Sequence, residues 1–449
     1  MFGRMLIANR GEIALRIIRA CHELGIETVC VFSEEDRGAD YLTLADQTIC
    51  IGGPAPRDSY LKSDRIIAAA EVARVDAIHP GYGFLAESAQ FAEKCRACNI
   101  EFVGPTAEAM AQLGNKAEAR KLAKKSKVPI VPGIEVLPEN EEELLAEVGK
   151  IGFPLMIKAV AGGGGRGMRI VHSKGHFKAM LNQASQEALG AFSDATLYIE
   201  KFIENPRHVE VQIIADNHGN VRYLGERDCT VQRRYQKLME ESPSPAIDSR
   251  TRSSLCNYAV KLAKSASYSS AGTVEFLIDG KGKPYFIEVN ARIQVEHPVT
   301  EETTGIDLIS EQIRVAAGEE VSFSQRSIQP KGHAIECRIN AEDPAEKFRP
   351  CPGLIERFRP PGGPGVRVDT HAYQGYRISP RYDSLLAKLI VHRATRDEAI
   401  STMRRCLREF EIAPIKTTIP FFLKVLEHED FISGKFDTGF VVRAFENTA

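Results

Sequence analysis

Residues Phe286 to Glu296 read FIEVNARIQVE, a regular alternation of apolar and polar side chains. This period of two predicts a β-strand with one apolar face and one polar face. The polar face would carry Glu288, Asn290, Arg292, Gln294 and Glu296. In an ordinary antiparallel strand such a polar face is simply exposed to solvent. The neighbouring strand shows whether this face is only solvated or forms a binding site.

The segment TVEFLID precedes this strand and is joined to it by the turn-like sequence GKGK. A hairpin loop of these four residues would pair Asp279 with Pro284 and would place Glu275 opposite Glu288. Facing side chains lie about 5 Å apart, and two carboxylates at that distance repel each other unless a cation joins them. Two carboxylates and the Asn290 amide are hard oxygen ligands of the kind that Mg²⁺ takes. The hairpin therefore predicts a nucleotide–magnesium site.

The chain has 449 residues, which is too long for a single core and suggests about three domains. Its hydrophobic content of 43% and net charge of −2 are typical of a soluble protein and do not favour binding to nucleic acid or an anionic membrane. The start MFGRMLIANRGE leaves no room for a signal peptide, and no apolar stretch approaches membrane length. Scattered cysteines favour a reducing cytoplasm, and Cys95 and Cys98 lack the second pair that zinc needs.

The first hundred residues alternate between strand and helix patterns, with the strands MLIAN and TVCVFS on either side of the helix GEIALRIIRACHEL. This βαβ order predicts a parallel sheet. A further strand, DAIHP, leads through Gly81 and Gly83 into the helical pattern FLAESAQFAEKC. These glycines lack the third glycine of a dinucleotide fingerprint, so we interpret them as turn residues at the end of the sheet where ligands collect.

From about Gly114 the pattern changes to a Lys-rich helix, the acidic helix ENEEELLAEV and the buried strand FPLMIKAV. A third region begins near Lys331 with the strands GHAIECRIN and LLAKLIVHRA and the helix RDEAISTMRRCLREF. The predicted domains are residues 1–113, 114–330 and 331–449.

A glycine-rich loop lies between two predicted strands, where Gly162 to Gly165 precede Arg166 and Gly167. A tight turn needs only one or two glycines, so the excess indicates mobile backbone with exposed amides. Such amides can surround phosphate oxygens, and Lys158 on the preceding strand can offer a point charge to the same anion. The loop lacks the Gly-Lys-Ser/Thr ending of a Walker motif, and a flexible loop without a ligand is the alternative.

The chain resembles the biotin carboxylase family of the ATP-grasp superfamily in IANRGEIALRI, HPGYGFLAE, GGGGRGM, ENPRHVEVQ, ERDCTVQRR, FIEVNARIQVEHPVT and ECRINAEDP. The resemblance extends from Met5 to about Val442. It implies a mixed α/β and α+β fold. A Rossmann-like N-terminal domain would be followed by an ATP-grasp region with a mobile lid at about residues 131–204, which carries the Gly-rich loop, and by a β-rich C-terminal domain.

The resemblance also implies roles for residues at matching positions. ATP would be held by Lys116, Lys158, Gly164, Gly165, Glu200, Lys201, Phe202, Ile203, His208, Tyr235, Glu275 and Glu288. Mg²⁺ or Mn²⁺ would be held by Glu275, Glu288 and Asn290. Bicarbonate would contact Lys237, Arg292, Arg338 and the backbone of Val295, and the catalytic set would be Lys237, Arg292, Glu296 and Arg338. Glu296 would be the base, while Arg338 and Tyr82 would face biotin.

The implied reaction is the ATP-dependent carboxylation of biotin by bicarbonate through carboxyphosphate. The sequence has no Ala-Met-Lys-Met-type attachment segment and no carboxyltransferase region, so biotin would arrive on a separate biotin carboxyl carrier protein. This favours the biotin carboxylase subunit of acetyl-CoA carboxylase, a cytoplasmic homodimer that works with carboxyltransferase subunits. A two-subunit pyruvate or propionyl-CoA carboxylase would need the same partial reaction.

Some of these positions have plainer interpretations. Arg338 shares a strand face with Glu336 and Asn340 and would there form only a cross-strand ion pair, and His208 alone would be a surface imidazole. An ATP-grasp ligase acting on another carboxylate would not need Glu296 or Arg338. A non-catalytic nucleotide-binding regulator is the rival from another class.

Four positions depart from the family pattern. Ala291 replaces a common threonine on the apolar face, and Ser379 and Arg381 replace a proline and an aromatic residue. Tyr235 in QRRYQK stands where the family usually has a histidine near the nucleotide. This last change weakens the assignment of that one position to the ATP site.

Overall fold

The computed structural model describes residues 1–160 and 168–446. The N-terminal region consists of β1 (Arg4–Ile7), α1 (Gly11–Glu23), β2 (Glu27–Ser33), β3 (Gln47–Gly52), α2 (Ser63–Ala73), β4 (Ala77–His79), α3 (Ala89–Ala97), β5 (Glu101–Phe102) and α4 (Ala107–Gly114). Its strands form one parallel sheet in the order β3-β2-β1-β4-β5. The predicted parallel sheet is therefore confirmed.

The central region contains two antiparallel sheets. Its elements are α5 (Lys116–Lys125), β6 (Gly133–Ile134), α6 (Glu141–Ile151), β7 (Leu155–Ala159), β8 (Met168–Val171), α7 (Lys174–Phe192), β9 (Leu197–Lys201), β10 (Arg207–Ala215), β11 (Val221–Arg233), β12 (Gln236–Ser242), α8 (Ser249–Ser265), β13 (Ser270–Ile278), β14 (Pro284–Asn290), α9 (His297–Thr304) and α10 (Leu308–Ala316). Strands β6-β9-β7-β8 form a separate small sheet within the segment that the sequence assigned to the lid. The Gly-rich loop, with Gly164 and Gly165, lies outside the described residues.

The C-terminal region is rich in short strands. Its elements are β15 (His333–Asn340), β16 (Glu342–Asp343), β17 (Arg349–Pro350), β18 (Gly353–Leu354), β19 (Arg357–Arg359), β20 (Val366–Thr370), β21 (Arg377–Ile378), β22 (Leu385–Arg393), α11 (Arg396–Glu409), β23 (Glu411–Ala413), α12 (Ile419–Glu427), α13 (Glu429–Ile432) and a π-helical segment, Val442–Glu446. Among the described helices, none combines the length and the apolar character that crossing a bilayer requires.

One eight-stranded antiparallel sheet joins the central and C-terminal regions. Its order is β14-β13-β10-β11-β12-β15-β22-β20, and β12 pairs directly with β15. Polar side chains that are almost fully buried occur on β10, β11, β12, β15 and β22, namely Glu210, Arg227, Glu240, Glu336 and Lys388. Because burial of charge is costly unless the groups are paired, this polar interior already indicates a site and not a hydrophobic core.

In the hairpin of β13 and β14 the predicted carboxylates face each other, but the register of the loop differs from the predicted one. Pro284 pairs with Ile278 and not with Asp279, so the predicted loop register was wrong by one residue. A β-bulge at Ile287 then shifts the register and brings Glu275 opposite Glu288 as predicted.

The predicted strand from Phe286 to Glu296 is shorter than the alternation suggests, since β14 ends at Asn290. The Ala291 amide donates to the Glu87 carboxylate at 3.1 Å, which takes this amide out of the strand ladder. Residues 291–296 are irregular and lead directly into α9, whose first turn contains a proline.

Helix α3 begins at Ala89, five residues later than the pattern FLAESAQFAEKC suggests. The Ser88 hydroxyl accepts a hydrogen bond from the Phe91 amide at 3.2 Å and caps the helix, while Phe84 has a positive φ of 42°. Gly81 and Gly83 also have positive φ, at 62° and 71°, in agreement with their interpretation as turn residues.

Candidate active site

A cavity of about 720 Å³ lies between the N-terminal parallel sheet and the polar face of the eight-stranded sheet. Except for Pro56, the N-terminal residues that line it follow the carboxyl ends of the adjacent strands β1 and β4, where open α/β sheets bind ligands. Its volume lies within the range of small-molecule sites. Eleven predicted site residues line it: Tyr82, His208, Tyr235, Lys237, Glu275, Glu288, Asn290, Arg292, Val295, Glu296 and Arg338.

Lys237 on β12 is the centre of the charged cluster. Its ammonium donates to the carboxylates of Glu275 and Glu296 at 2.7 Å each and to Glu210 at 2.5 Å. Burial acts to lower the pKa of Lys237, but these three carboxylates hold it well above its usual value. The site therefore contains a permanently charged cation with an excess of negative charge around it.

Glu296 is held between two cations. One carboxylate oxygen accepts from Lys237, and the other accepts from the Arg338 guanidinium at 2.8 Å. Burial acts to raise the pKa of Glu296, yet Lys237 and then Arg338 hold it well below the usual range of a carboxyl group. Glu296 is therefore ionised and can accept a proton from a group placed beside it.

Arg338 also donates to Glu240 at 2.8 Å. Its guanidinium thus forms a cross-strand ion pair with Glu240 on β12, as in the alternative interpretation, and also reaches Glu296 in the cavity wall.

The predicted metal ligands lie together at the β13–β14 hairpin. Glu275 accepts from Asn290 at 2.8 Å, and His208 shares a hydrogen bond of 2.8 Å with Glu275. Burial acts to raise the pKa of Glu275, but Lys237 and His208 hold it well below its usual value. His208 is 8% exposed, so its interpretation as a surface imidazole was wrong.

Glu288 has a different environment from its cross-strand partner. Burial and the charge of Glu275 raise the pKa of Glu288, and the Lys116 ammonium approaches it only to 3.8 Å. A divalent cation between Glu275 and Glu288 would relieve their mutual repulsion, and the Asn290 amide oxygen would add a neutral ligand. These residues therefore fit Mg²⁺ or Mn²⁺.

Arg292 and Val295 line the cavity beside this cluster. The Arg292 guanidinium donates to Glu87 at 3.0 Å and to the Asn290 amide oxygen at 3.2 Å. The Val295 carbonyl accepts from the Lys388 ammonium at 3.1 Å. Both residues lie in the irregular segment after β14.

The predicted ATP contacts on the small sheet do not line the cavity in this structure. These residues are Lys158, Glu200, Lys201, Phe202 and Ile203, and Lys116 is also absent from the lining. Lys158 forms an ion pair with Glu200, and Lys201 donates to the backbone carbonyl of Phe153 at 2.7 Å. The small sheet thus holds its own cationic groups close to carboxylate and carbonyl partners.

Tyr235 lies in the two-residue turn between β11 and β12 and is 55% exposed. Among the described residues its hydroxyl has no hydrogen-bond partner, and the residue lines the cavity. A phenol can make a hydrogen bond to a nucleotide but cannot become cationic near neutral pH, as an imidazole partly can.

Substitution of Tyr235 tests whether the phenol replaces the usual histidine. If the residue contributes mainly a hydrogen bond, Tyr235→His should change the KM for ATP by less than about tenfold, whereas Tyr235→Phe should raise this KM. Steady-state kinetics at varied ATP concentration provides the measurement. A Phe variant identical to the parent enzyme would remove Tyr235 from the ATP site.

Several functional partners were not identified from the sequence. Glu210 and Glu240 neutralise Lys237 and Arg338, and the fully buried Arg227 donates to Glu210 at 2.6 Å. Gln294, which was placed on the polar face without a role, donates to Glu275 at 2.9 Å. The charged alternation of RHVEVQ and LMEES was an available signal, since buried strands rarely carry such residues.

Three parts of the chain match known domain families. Residues 1–110 match "Biotin carboxylase, N-terminal domain", residues 115–323 match "Carbamoyl-phosphate synthase L chain, ATP binding domain", and residues 336–443 match "Biotin carboxylase C-terminal domain". Biotin carboxylase 1 of Bacillus subtilis is 55% identical over 442 residues, covering 98% of both chains. The chain belongs to the biotin carboxylase family.

Other members of this family differ in the enzyme that they serve. One subunit of the pyruvate carboxylase of Methanothermobacter thermautotrophicus is 49% identical, over 98% of this chain and 90% of that protein. The biotin carboxylase domain dimer of the Hydrogenobacter thermophilus 2-oxoglutarate carboxylase, solved with MgADP and bicarbonate, has a TM-score of 0.94 and 47% identity. That comparison covers 99% of this chain and 98% of the solved one. The predicted fold and the predicted class, an ATP-dependent biotin carboxylase, are thereby confirmed.

Proposed function

We propose that this chain carboxylates biotin with bicarbonate and ATP as the first half-reaction of acetyl-CoA carboxylase. The observation that carries the proposal is the ionised Glu296 held between Lys237 and Arg338, next to the facing carboxylates Glu275 and Glu288. This arrangement combines a base, an anion site and a metal–nucleotide site in one cavity. The MgADP and bicarbonate of the Hydrogenobacter structure support the same assignment.

In the first step the chain's own residues would orient bicarbonate and accept its proton. Lys237, Arg292 and the Val295 backbone hold the anion, and Glu296 takes its proton as a bicarbonate oxygen attacks the γ-phosphorus of ATP. The bond between the γ-phosphorus and the β,γ-bridging oxygen breaks, which gives carboxyphosphate and ADP. A cation bound by Glu275, Glu288 and Asn290 would neutralise phosphate charge during this transfer.

We propose nucleotide contacts from two parts of the chain. Lys116 beside Glu288, His208 beside Glu275, and Tyr235 would contact ATP from outside the small sheet. The proposed lid contacts are Lys158, Gly164, Gly165, Glu200, Lys201, Phe202 and Ile203. They would complete the ATP site when the small sheet, within about residues 131–204, closes over the cavity.

In the second step Arg338 would face the ureido oxygen of biotin. Enolisation of the ureido group places negative charge on that oxygen, and a guanidinium stabilises such a charge. Tyr82 lines the same cavity and donates to Glu12, which fixes its ring at the proposed biotin side. Cleavage of the bond between the carboxyl carbon and the phosphate oxygen of carboxyphosphate would give carbon dioxide and phosphate. The phosphate would take the ureido proton, and the ureido nitrogen would attack the carbon dioxide to give carboxybiotin.

The proposed function also implies an assembly with other proteins. We propose a cytoplasmic homodimer that receives biotin on a carrier protein and passes it to carboxyltransferase subunits, with domains at residues 1–113, 114–330 and 331–449. A pyruvate carboxylase is the alternative, because the Methanothermobacter pyruvate carboxylase chain is 49% identical to this one.

Bicarbonate dependence of ATP cleavage is the test of the proposed function. We expect the purified chain to hydrolyse ATP only with bicarbonate and Mg²⁺ and to do so faster when free biotin is added, because each substrate is needed for its own step. ADP release in carbon dioxide-depleted buffer, with bicarbonate and biotin added in turn, gives the measurement. Equal hydrolysis without bicarbonate would favour another ATP-grasp ligase.

A further inference from the structure

Lys388 is a fully buried cation on β22, the strand between β15 and β20. It lies opposite Arg338 on one neighbouring strand and opposite Asp369 on the other. An ammonium group removed from water needs acceptors for its three N–H groups and a compensating charge. The acceptors of Lys388 therefore indicate what this residue holds in place.

One backbone carbonyl and two carboxylates from separate parts of the chain surround the ammonium. Lys388 Nζ donates to the Val295 carbonyl at 3.1 Å and lies 3.1 Å from Glu12 and 3.7 Å from Asp369. Burial acts to lower the pKa of Lys388, but Glu12 and Asp369 raise it above its usual value. The two carboxylates compensate the charge of the ammonium, and the Val295 carbonyl accepts one of its N–H groups.

The Val295 carbonyl belongs to the planar peptide that leads directly to Glu296. Strand β14 has already ended at Asn290, so no sheet ladder fixes the orientation of this peptide. The hydrogen bond from Lys388 supplies that restraint. By fixing the peptide plane it fixes where the Glu296 side chain begins.

Glu12 extends the same restraint to the opposite wall of the cavity. One of its oxygens accepts from the Tyr82 hydroxyl, and the other faces Lys388. Glu12 and Tyr82 belong to the N-terminal region, whereas Lys388 belongs to the C-terminal region. A single buried ammonium thus connects both of these regions to the segment before Glu296.

We propose that Lys388 is a positioning residue that holds the Val295–Glu296 peptide, and through Glu12 the Tyr82 hydroxyl, in register with the Lys237–Arg338 cluster. This inference rests on the proposed function, because Val295 and Glu296 are there assigned to bicarbonate. The competing interpretation is an ion pair that only stabilises the fold.

The variant Lys388→Arg separates the two interpretations. It keeps the charge that pairs with Glu12 and Asp369, but a guanidinium cannot place its donors where Nζ lies. Positioning predicts a KM for bicarbonate raised about tenfold, as expected for a lost hydrogen bond from a charged donor, with the KM for ATP unchanged even if the larger side chain lowers the melting temperature. A KM for bicarbonate equal to that of the parent would overturn the proposal.

Arg396→Lys provides a matched control. Arg396 is a largely buried cation of the same region that donates to Glu241 and to the carbonyls of Phe431 and Ile432, and it does not line the cavity. This substitution, the opposite of Lys388→Arg, alters a buried cation that makes no hydrogen bond to the segment before Glu296. We expect it to leave the KM for bicarbonate unchanged.

Amide hydrogen exchange tests the inference without relying on activity. In Lys388→Met, exchange over residues 291–297 should be about tenfold faster, while exchange in α11 stays at the parent rate. A uniform acceleration in both segments, or none at 291–297, would assign Lys388 to general stability. If Lys388→Met does not fold, the same measurement on Lys388→Arg decides between the two. A parent enzyme without bicarbonate dependence would refute the proposed function, and the exchange result would still stand.

Discussion

Replacing Glu288 by glutamine is expected to lower Mg²⁺-dependent ATP cleavage by about a hundredfold or more. The substitution removes the negative charge of a proposed metal ligand while keeping nearly the same volume. It also removes a charge for which burial and the repulsion by Glu275 raise the pKa, so the fold should be as stable as in the parent. Initial rates at varied Mg²⁺ concentration, together with the melting temperature without metal, provide the measurement.

Glu319→Gln is the matched control for this prediction. Glu319 is 42% exposed, against 36% for Glu288, and it too has one cationic neighbour, Arg314 at 3.4 Å. It does not line the cavity. We expect parental Mg²⁺ dependence in this control. Unchanged turnover and unchanged Mg²⁺ dependence in Glu288→Gln would mean that the hairpin carboxylates do not hold the metal.

The alternation in FIEVNARIQVE predicted the site better than it predicted the strand. The strand ends at Asn290, yet Arg292, Gln294 and Glu296 still line the cavity. Beyond Asn290 the chain is irregular and turns at residues 295–296, so the position of Glu296 follows from this turn and not from a continued alternation. The carboxylate pairing was likewise correct because the bulge at Ile287 offset an error of one residue in the loop.

The partners of the catalytic groups could not be predicted in the same way. Glu240 and Lys388 are charged residues within strands, and such residues are ordinarily assigned to the solvent side. Their burial depends on β12, β15 and β22 being neighbours in one sheet that crosses from the central to the C-terminal region. That strand order involves strands far apart in the sequence. The local periodicity of a single sequence does not predict it.

Eleven of the residues that the resemblance indicated line the cavity, but the resemblance did not indicate the contacts among them. Glu336 illustrates the difference, because burial raises its pKa well above the usual range and neither carboxylate oxygen has a hydrogen-bond partner among the described residues. The sequence places Glu336 on the same strand face as Arg338, but the ion-pair partners of Arg338 are Glu240 and Glu296. The register of the strands and the burial of each side chain determine which carboxylate pairs with which cation. Both are set only when the eight-stranded sheet has assembled.

Arg338→Ala should separate the two half-reactions. Removal of the guanidinium leaves the developing charge on the biotin oxygen unstabilised, so carboxybiotin formation should fall by about a hundredfold to a thousandfold. Glu296 keeps Lys237, which lowers its pKa more than Arg338 does, and it therefore remains ionised for the first step. Bicarbonate-dependent ATP cleavage should accordingly persist at a measurable fraction of the parental rate.

The separation is measured by following ADP release and carboxybiotin formation in the same reaction. Arg381→Ala serves as the control, since Arg381 lines the same cavity but is half-exposed and approaches Glu35 only to 3.5 Å. Both products should form at parental ratios in this control. If Arg338→Ala loses both activities equally while its melting temperature is unchanged, Arg338 acts in phosphoryl transfer. The enolate-stabilising role would then have to belong to another group in the cavity wall.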